Sequence, residues 1–250
     1  MTILADTAAL RATASVVLLA LLLVWESATP FFAFFANAAR PFAKRARHGL
    51  ANVALGVLNA VVVRFVFLGM WVYTMEWANA RDVGLLNWMD APVWLRFVLT
   101  LLLLDVWMYC FHRLSHMVPF FWRFHRLHHT DRQMDVTTAN RFHLGEVSLS
   151  AIFRVPILVA IGCRLEELTL YELLLFAIVQ FHHANIALPD WLDRVLRAVV
   201  VTPHMHKVHH SVVRTEQNAN FSSLFSWSDR AAGTLRIAPD LKRIEFGVED

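Results

Sequence analysis

The amino-acid sequence predicts an all-α integral membrane protein of about four to five transmembrane helices, with a cytoplasmic cap of helices rich in histidine. Three observations lead there. Apolar residues make up 57% of the 250 and charged residues only 17%, where soluble proteins carry roughly 45–50% and about 25%. One core of this size cannot hide the excess, and lipid can. The apolar residues also gather into runs close to the roughly 20 residues that a spanning helix needs. Finally, thirteen histidines fall mostly in short clusters at the ends of those runs.

The first run extends from about Ala9 to Ser27 through VVLLALLLVW. It has neither the basic start nor the small-residue cleavage site of a signal peptide, so it is expected to remain as a helix. A short basic loop, Arg40 to His48 (RPFAKRARH), follows. The second run covers about Leu50 to Met75, with Arg64 inside it, expected to pair with an acidic group or to snorkel. The third covers Val93 to Phe111. Two shorter runs, about Val147 to Gly162 and Leu168 to Phe181, form a hairpin through the polar turn 163–167, and Pro156 is expected to kink its first arm. The tail from about Asp190 to Asp250 reads as short helices and turns.

The chain is therefore expected to be one membrane-embedded domain. Its spanning helices occupy 9–111, the first histidine clusters 112–146, the hairpin 147–183 and the cap 184–250. The positive-inside rule places the basic 40–48 loop in the cytoplasm. Counting spans from there brings every histidine cluster to the cytoplasmic side, although no histidine was used to set the topology.

The net charge of +3 needs no nucleic acid, because the arginines sit beside apolar runs as membrane flanks do. Cys110 and Cys163 make no CxxC pair and read as small hydrophobes.

His112 and His116 lie four apart, which puts both imidazoles on one helix face. His125, His128 and His129 form an HxxHH stripe on a helix opened by Pro119, and His206, His209 and His210 repeat the pattern. His182 and His183 end the last apolar run. A lone histidine on a helix is usually structural, but this set converging on one face reads as a metal site. Neutral imidazole suits iron, zinc, copper or nickel, and nine ligands are too many for one ion, so two ions are expected. Carboxylate di-iron bundles use Glu and Glu-x-x-His ligands, which this chain lacks.

The order HRLSH, FWRFHRLHHTD, FHHAN, TPHMHKVHHS resembles the sterol desaturase and fatty acid hydroxylase superfamily, in its bacterial-type form. The likeness runs from about Asp105 to Thr234 and includes Asp131, Arg141, His143, Glu146, Asn220, Phe221, Trp227, Asp229, Gly233 and Thr234. It implies a membrane scaffold holding a non-haem di-iron centre. O2 would be the co-substrate in hydroxylating or desaturating an unactivated C–H bond of a membrane lipid. The ligands it implies are His112, His116, His125, His128, His129, His183, His206, His209 and His210, with His183 preferred to His182 because it precedes Ala-Asn, and with His143 a further candidate. Ser222 in place of glycine, Ser228 in place of an aromatic, Ala231-Ala232 in place of a bulky pair and Leu144-Gly145 in place of a proline depart from the pattern.

Ligating imidazoles usually donate their second N–H to a carboxylate or carbonyl. Asp105, two turns before His112, and Asp131 and Asn185 are the residues expected to serve the catalytic site in this way, while Glu146 is expected to clamp Arg141. His48 and His204 are given no role. No Rossmann fingerprint, haem-attachment motif or fused redox domain appears, so electrons are expected from a separate donor, a ferredoxin or a small cytochrome with its NAD(P)H reductase. The short chain, without a C-terminal dilysine signal, points to a bacterial inner membrane. A zinc protease would want HExxH, and His112-Arg-Leu-Ser-His116 has no such glutamate. A metal transporter or a metal-binding protein without oxygenase activity stands as the alternative.

Overall fold

The structure is a computed structural model that describes residues 2–249, with side chains from residue 13 onward; the start of the first predicted run, residues 9–12, lies outside the described side chains. The long helices are α1 (Thr2–Ala28), α2 (Pro41–Val62), α3 (Leu68–Asn79), α4 (Val93–Met117), α5 (Pro119–His129), α6 (Leu144–Ile161) and α7 (Leu165–His183). The cap adds the short helices α8 (Asp190–Leu196), α9 (Pro203–His209), α10 (Arg214–Gln217) and α11 (Trp227–Ala231). Among the described residues the only β-pairing consists of isolated bridges.

The second predicted run is part of something longer. A π-helical segment, Val63–Phe67, joins α2 to α3, so Pro41–Asn79 is one apolar unit of 39 residues. At 1.5 Å per residue it extends about 58 Å, nearly twice the roughly 30 Å hydrocarbon layer. Residues 41–48, expected as a loop, are its first turns: Pro41 occupies N1, where a missing N–H is harmless. Arg64 lies exposed within the π-helical segment.

The helices Pro41–Asn79, Val93–Met117 and Leu144–Ile161 are long and apolar enough to cross a membrane, and Thr13–Ala28 is a shorter apolar helix. Their outward faces carry apolar side chains such as Val61, Phe65, Val98, Val106 and Phe153, as lipid requires. Between them α3, α4, α6 and α7 share a core containing Phe67, Trp71, Leu104, Leu158 and Tyr171. The Trp71 indole donates to the Ala151 carbonyl at 2.9 Å and the Tyr171 hydroxyl to that of Leu104 at 3.2 Å, so each buried polar tip is paired.

The end of the bundle remote from the histidines is pinned by an ion pair. Buried Arg96 meets Glu167 at 3.2 Å, and Glu167 also accepts from Thr100 at 3.1 Å and from the Arg164 N–H at 2.9 Å, which caps α7. Gly84 (φ +115°) packs directly on Gly162 (φ +72°), the left-handed residue that ends α6; a Cβ on Gly84 would collide with that backbone.

At the opposite end α1, α4 and α7 finish while α2 and α6 begin, so the sites carried on those ends converge. Glu26 of α1 accepts from the Val136 N–H at 3.0 Å and the Asn185 N–H at 2.9 Å and pairs with Arg45 of α2 at 2.7 Å. Asn59 of α2 donates to the Phe142 carbonyl at 2.9 Å. These bonds tie the helix ends to the cap.

Candidate metal centre

Four helices carry the clustered histidines. The α4 run continues unbroken past Phe111, so His112 and His116 sit on its last turns, one above the other. Val118 is extended and Pro119 restarts the chain as α5, which turns His125, His128 and His129 back towards α4. His183 closes α7. Thr202 caps α9 by accepting from the Met205 N–H, and this places His206, His209 and His210.

The nitrogens fall into two groups. His112, His116, His125, His129 and His209 each bring a ring nitrogen within 4.8 Å of the others, and His128, His183, His206 and His210 do the same. Each HxxHH motif is therefore divided. From α5, His125 and His129 go to the five-histidine group and His128 to the other; from the second motif, His209 goes to the first, while His206 and His210 go to the second. Adjacent residues on a helix point about 100° apart, so each HH pair is split between the two groups. All nine are buried, at 8% exposure or less.

Hydrogen bonds set the ring tautomers. Nδ1–H of His112 donates to the Phe221 carbonyl at 2.7 Å, that of His209 to Ala219 at 2.8 Å, that of His183 to Val179 at 2.7 Å, and that of His125 to the Glu146 carboxylate at 2.6 Å. Each then presents a bare Nε2 lone pair. Yet His112 Nε2 and His125 Nε2 are 3.2 Å apart, and His183 Nε2 is 3.0 Å from both His128 Nε2 and His206 Nε2. The bare lone pairs of His112 and His125 repel at that range unless a cation lies between them, and the His183 lone pair has two further ring nitrogens crowded against it. Nitrogens at right angles around an ion about 2.1 Å away would be about 3 Å apart, so the donor set fits a metal. His116 and His209 add Nε2 atoms that are buried with no protein partner.

Burial keeps the rings neutral. It pushes His128, His129, His206 and His210 well below the usual imidazole range, helped by the neighbouring histidines. His209 is pushed down to about 3, again by burial. A neutral imidazole is the form a metal binds.

The remaining candidates stand elsewhere. His182 belongs to neither group; its ring lies against that of His206, centroids 3.9 Å apart. His143 is exposed and caps α6, its Nδ1 accepting from the Gly145 N–H at 2.9 Å. Asp105, Asp131 and Asn185 do not reach a ligating imidazole. Asp105 accepts from the backbone N–H groups of Leu224 at 3.1 Å and Phe225 at 3.2 Å, and so anchors the segment whose Phe221 carbonyl holds His112. Asp131 binds His48 at 2.9 Å and Thr138 at 2.7 Å. Burial alone would raise its pKa, but these bonds bring it down to about 2. Asn185 pairs with the backbone of Phe32.

Four residues matter here in contacts that sequence reasoning did not give them. Glu146 holds His125, and Arg141, its expected partner, instead donates to the Leu127 carbonyl, Asn52 and Thr130. Asp229 accepts from the Phe221 and Ser222 N–H groups, both at 2.9 Å, and Ser222 accepts in return from the Asp229 N–H at 3.1 Å. The serine found in place of glycine thus has a hydrogen-bonding use. His48 bridges α2 to Asp131. Glu26, an acid at the end of an apolar run, was the one such signal available in the sequence.

An apolar cavity of about 210 Å³ leads away from the centre. His112 and His125 of one group and His128, His183 and His206 of the other line it, with Phe111, Phe176 and Val179 among its walls. It follows α7 from His183 to Glu172, about 16 Å of helix. Glu172 is ion-paired with Arg154, which is buried.

Comparison with known proteins agrees with this site. The chain is 30% identical to an ornithine lipid hydroxylase of Rhizobium tropici over 164 residues, 64% of this chain and 48% of that one. It is 27% identical to an alkylglycerol monooxygenase of Xenopus tropicalis over 82% of this chain and 44% of the relative. It is 25% identical to the cholesterol 25-hydroxylase of Rattus norvegicus over 67% and 59%. The chain thus spans about half the length of these relatives. No solved structure matches it. Residues 97–234, more than half of the chain and every one of the nine clustered histidines, match the fatty acid hydroxylase family, to which this protein therefore belongs.

Proposed function

We propose that this protein is an O2-dependent, non-haem di-iron oxidoreductase that hydroxylates an unactivated C–H bond of a membrane lipid. The observation that carries the reading is the position of two all-histidine nitrogen groups at the head of one apolar cavity between spanning helices. The relatives' printed names, which cover an ornithine lipid, an alkylglycerol and cholesterol, support a lipid substrate. The balanced reaction is R–H + O2 + 2 e⁻ + 2 H⁺ giving R–OH + H2O, with the electrons supplied by a separate carrier protein. We place the protein in a bacterial inner membrane with its histidines facing the cytoplasm.

His112, His116, His125, His129 and His209 would hold one ion, and His128, His183, His206 and His210 the other. Bound iron would supply the electron transfer that activates O2 against a C–H bond. The chain's own contribution is placement. Phe111, Phe176 and Val179 exclude water and hold an alkyl segment against the rings. Glu146 and the carbonyls of Phe221, Ala219 and Val179 retain the Nδ1 protons of His125, His112, His209 and His183, which keeps those four Nε2 atoms available.

The test is metal analysis of protein purified without chelator or polyhistidine tag, followed by a lipid-extract screen with O2 and reductant. About two irons per chain and a product 16 mass units heavier are expected. Well-folded protein that takes up no stoichiometric metal, with His128→Ala and His209→Ala behaving like the wild type, would sink the proposal.

A further inference from the structure

An apolar and a polar cavity both reach the clustered histidines, and they differ in kind. The apolar one touches both groups from the side of the spanning helices. The other, about 300 Å³, lies where α4 ends and α5 begins, against α10 of the cap. It touches a single ligand-group histidine, His116. Its walls also include Trp122, Arg126 and Arg214, with Glu249 the one carboxylate among them. Arg126 and Arg214 are exposed, and Arg132, also exposed, lies beside Gly247 next to this wall.

Trp122 is the notable wall residue. Half-buried, it packs on two rings of the five-histidine group, its centroid 5.1 Å from that of His116 and 5.5 Å from that of His129. His116 thus lines this cavity directly, and one aromatic ring joins the cavity wall to both His116 and His129.

We propose that this polar cavity is where electrons enter, and that an acidic one-electron carrier protein docks over it on Arg126 and Arg214, with Trp122 as the contact leading to the five-histidine group. The inference rests on the oxygenase reading, which requires two electrons per turnover from outside the chain. The apolar cavity is taken up by the lipid and faces the bilayer, which a soluble carrier cannot enter. The polar cavity offers water access, a positive rim and direct contact with one ring of the five-histidine group. Complementary charge speeds such encounters and weakens with salt. In each docking the reduced carrier gives up one electron and leaves oxidised; two dockings supply the pair that, with two protons, reduces one oxygen atom of O2 to water while the other enters the C–H bond.

The docking test uses zinc-loaded protein in discs of uncharged phospholipid, so that no electron moves, titrated with two probes, an acidic ferredoxin and an acidic flavodoxin. At least one is expected to bind, more weakly as salt rises, and R126E/R214E is expected to weaken that binding about tenfold or more. R81E, at the far end of the bundle, should leave it unchanged. In iron-loaded protein, W122L should slow reduction by the bound carrier about tenfold while metal content and reduction by a small uncharged mediator stay as in the wild type, and W122F should restore the rate. Binding of neither probe, binding indifferent to R126E/R214E, a charge effect seen only with anionic lipid, or an unchanged rate in W122L would each overturn the proposal. Absence of an iron redox signal in the wild type would instead overturn the oxygenase reading and leave the zinc-form docking result standing.

Discussion

Glu146 accepts the Nδ1–H of His125 at 2.6 Å across 21 residues of sequence, from the first turn of α6 to the middle of α5. Among the described residues it is the one carboxylate bonded directly to a member of the two nitrogen groups, since the other observed Nδ1 bonds run to backbone carbonyls. A carboxylate partner raises the basicity of the opposite nitrogen and fixes the ring. Glu146→Gln should therefore weaken metal binding in the five-histidine group by about 10–100-fold, read by chelator competition. The four-histidine group should be unaffected.

The division of the HxxHH motifs gives a metal-counting prediction. His129→Ala and His209→Ala should each lose the ion of the five-histidine group; His128→Ala and His210→Ala should each lose the other. All four should keep one equivalent where the wild type holds two. His182→Ala and His143→Ala should keep both, the latter with a loss of about 1 kcal/mol from the α6 cap. Mass spectrometry of metal content decides it. Loss of metal in His143→Ala would show that the cap is not its main role.

Asp105→Ala removes the acceptor for two N–H groups at Leu224 and Phe225. Each buried donor left unpaired costs about 1–3 kcal/mol, so a fall in thermal stability should come first. Metal loss should follow only as the segment bearing Phe221 loosens. If metal binding fell with stability unchanged, Asp105 would have to act on the ligands directly.

Asp193 links α8 to α9, since its carboxylate accepts from Thr202, the N-cap residue of α9, at 2.6 Å and from Arg197 at 2.9 Å. Burial alone would raise its pKa, but the bonds from His204 and Thr202 and the charge of Arg197 hold it below the usual carboxylate range. A carboxyl depressed on folding contributes stability that is complete above about pH 4 and is lost as the pH falls below that. Asp193→Asn should remove this acid-side dependence and lower stability at pH 7 by about 1–2 kcal/mol. Denaturation measured from pH 3 to 7 checks it; an unchanged acid limb would assign that limb to other groups.

Local pattern accounts for what was legible beforehand. Run lengths near 20 apolar residues and helical spacing of histidines act over a few turns, so the spanning helices, the shared face of the clusters and the nine clustered histidines could be read from sequence. The sequence favoured His183 over His182, and the structure places His183 in a nitrogen group and His182 beside it.

What only the tertiary structure decided involves contacts between segments far apart in the chain. Which histidine joins which group depends on how α4, α5, α7 and α9 are rotated against one another. A local motif shows that two adjacent rings diverge but not what each one meets. Asp105 was placed on the correct helix and given the wrong partner, because the N–H groups it accepts from lie 119 and 120 residues away. Glu146 was assigned to its sequence neighbour Arg141, whereas the turn between α5 and α6 carries it to His125 instead. The basic stretch 40–48 has the composition of a loop, yet from Pro41 onward it is helical, and the bonds from Arg45 to Glu26 and from His48 to Asp131 hold its first turns against α1 and the segment that follows α5. Periodicity specifies which face of a helix is apolar or ligating; the packing of one helix on another selects its partner.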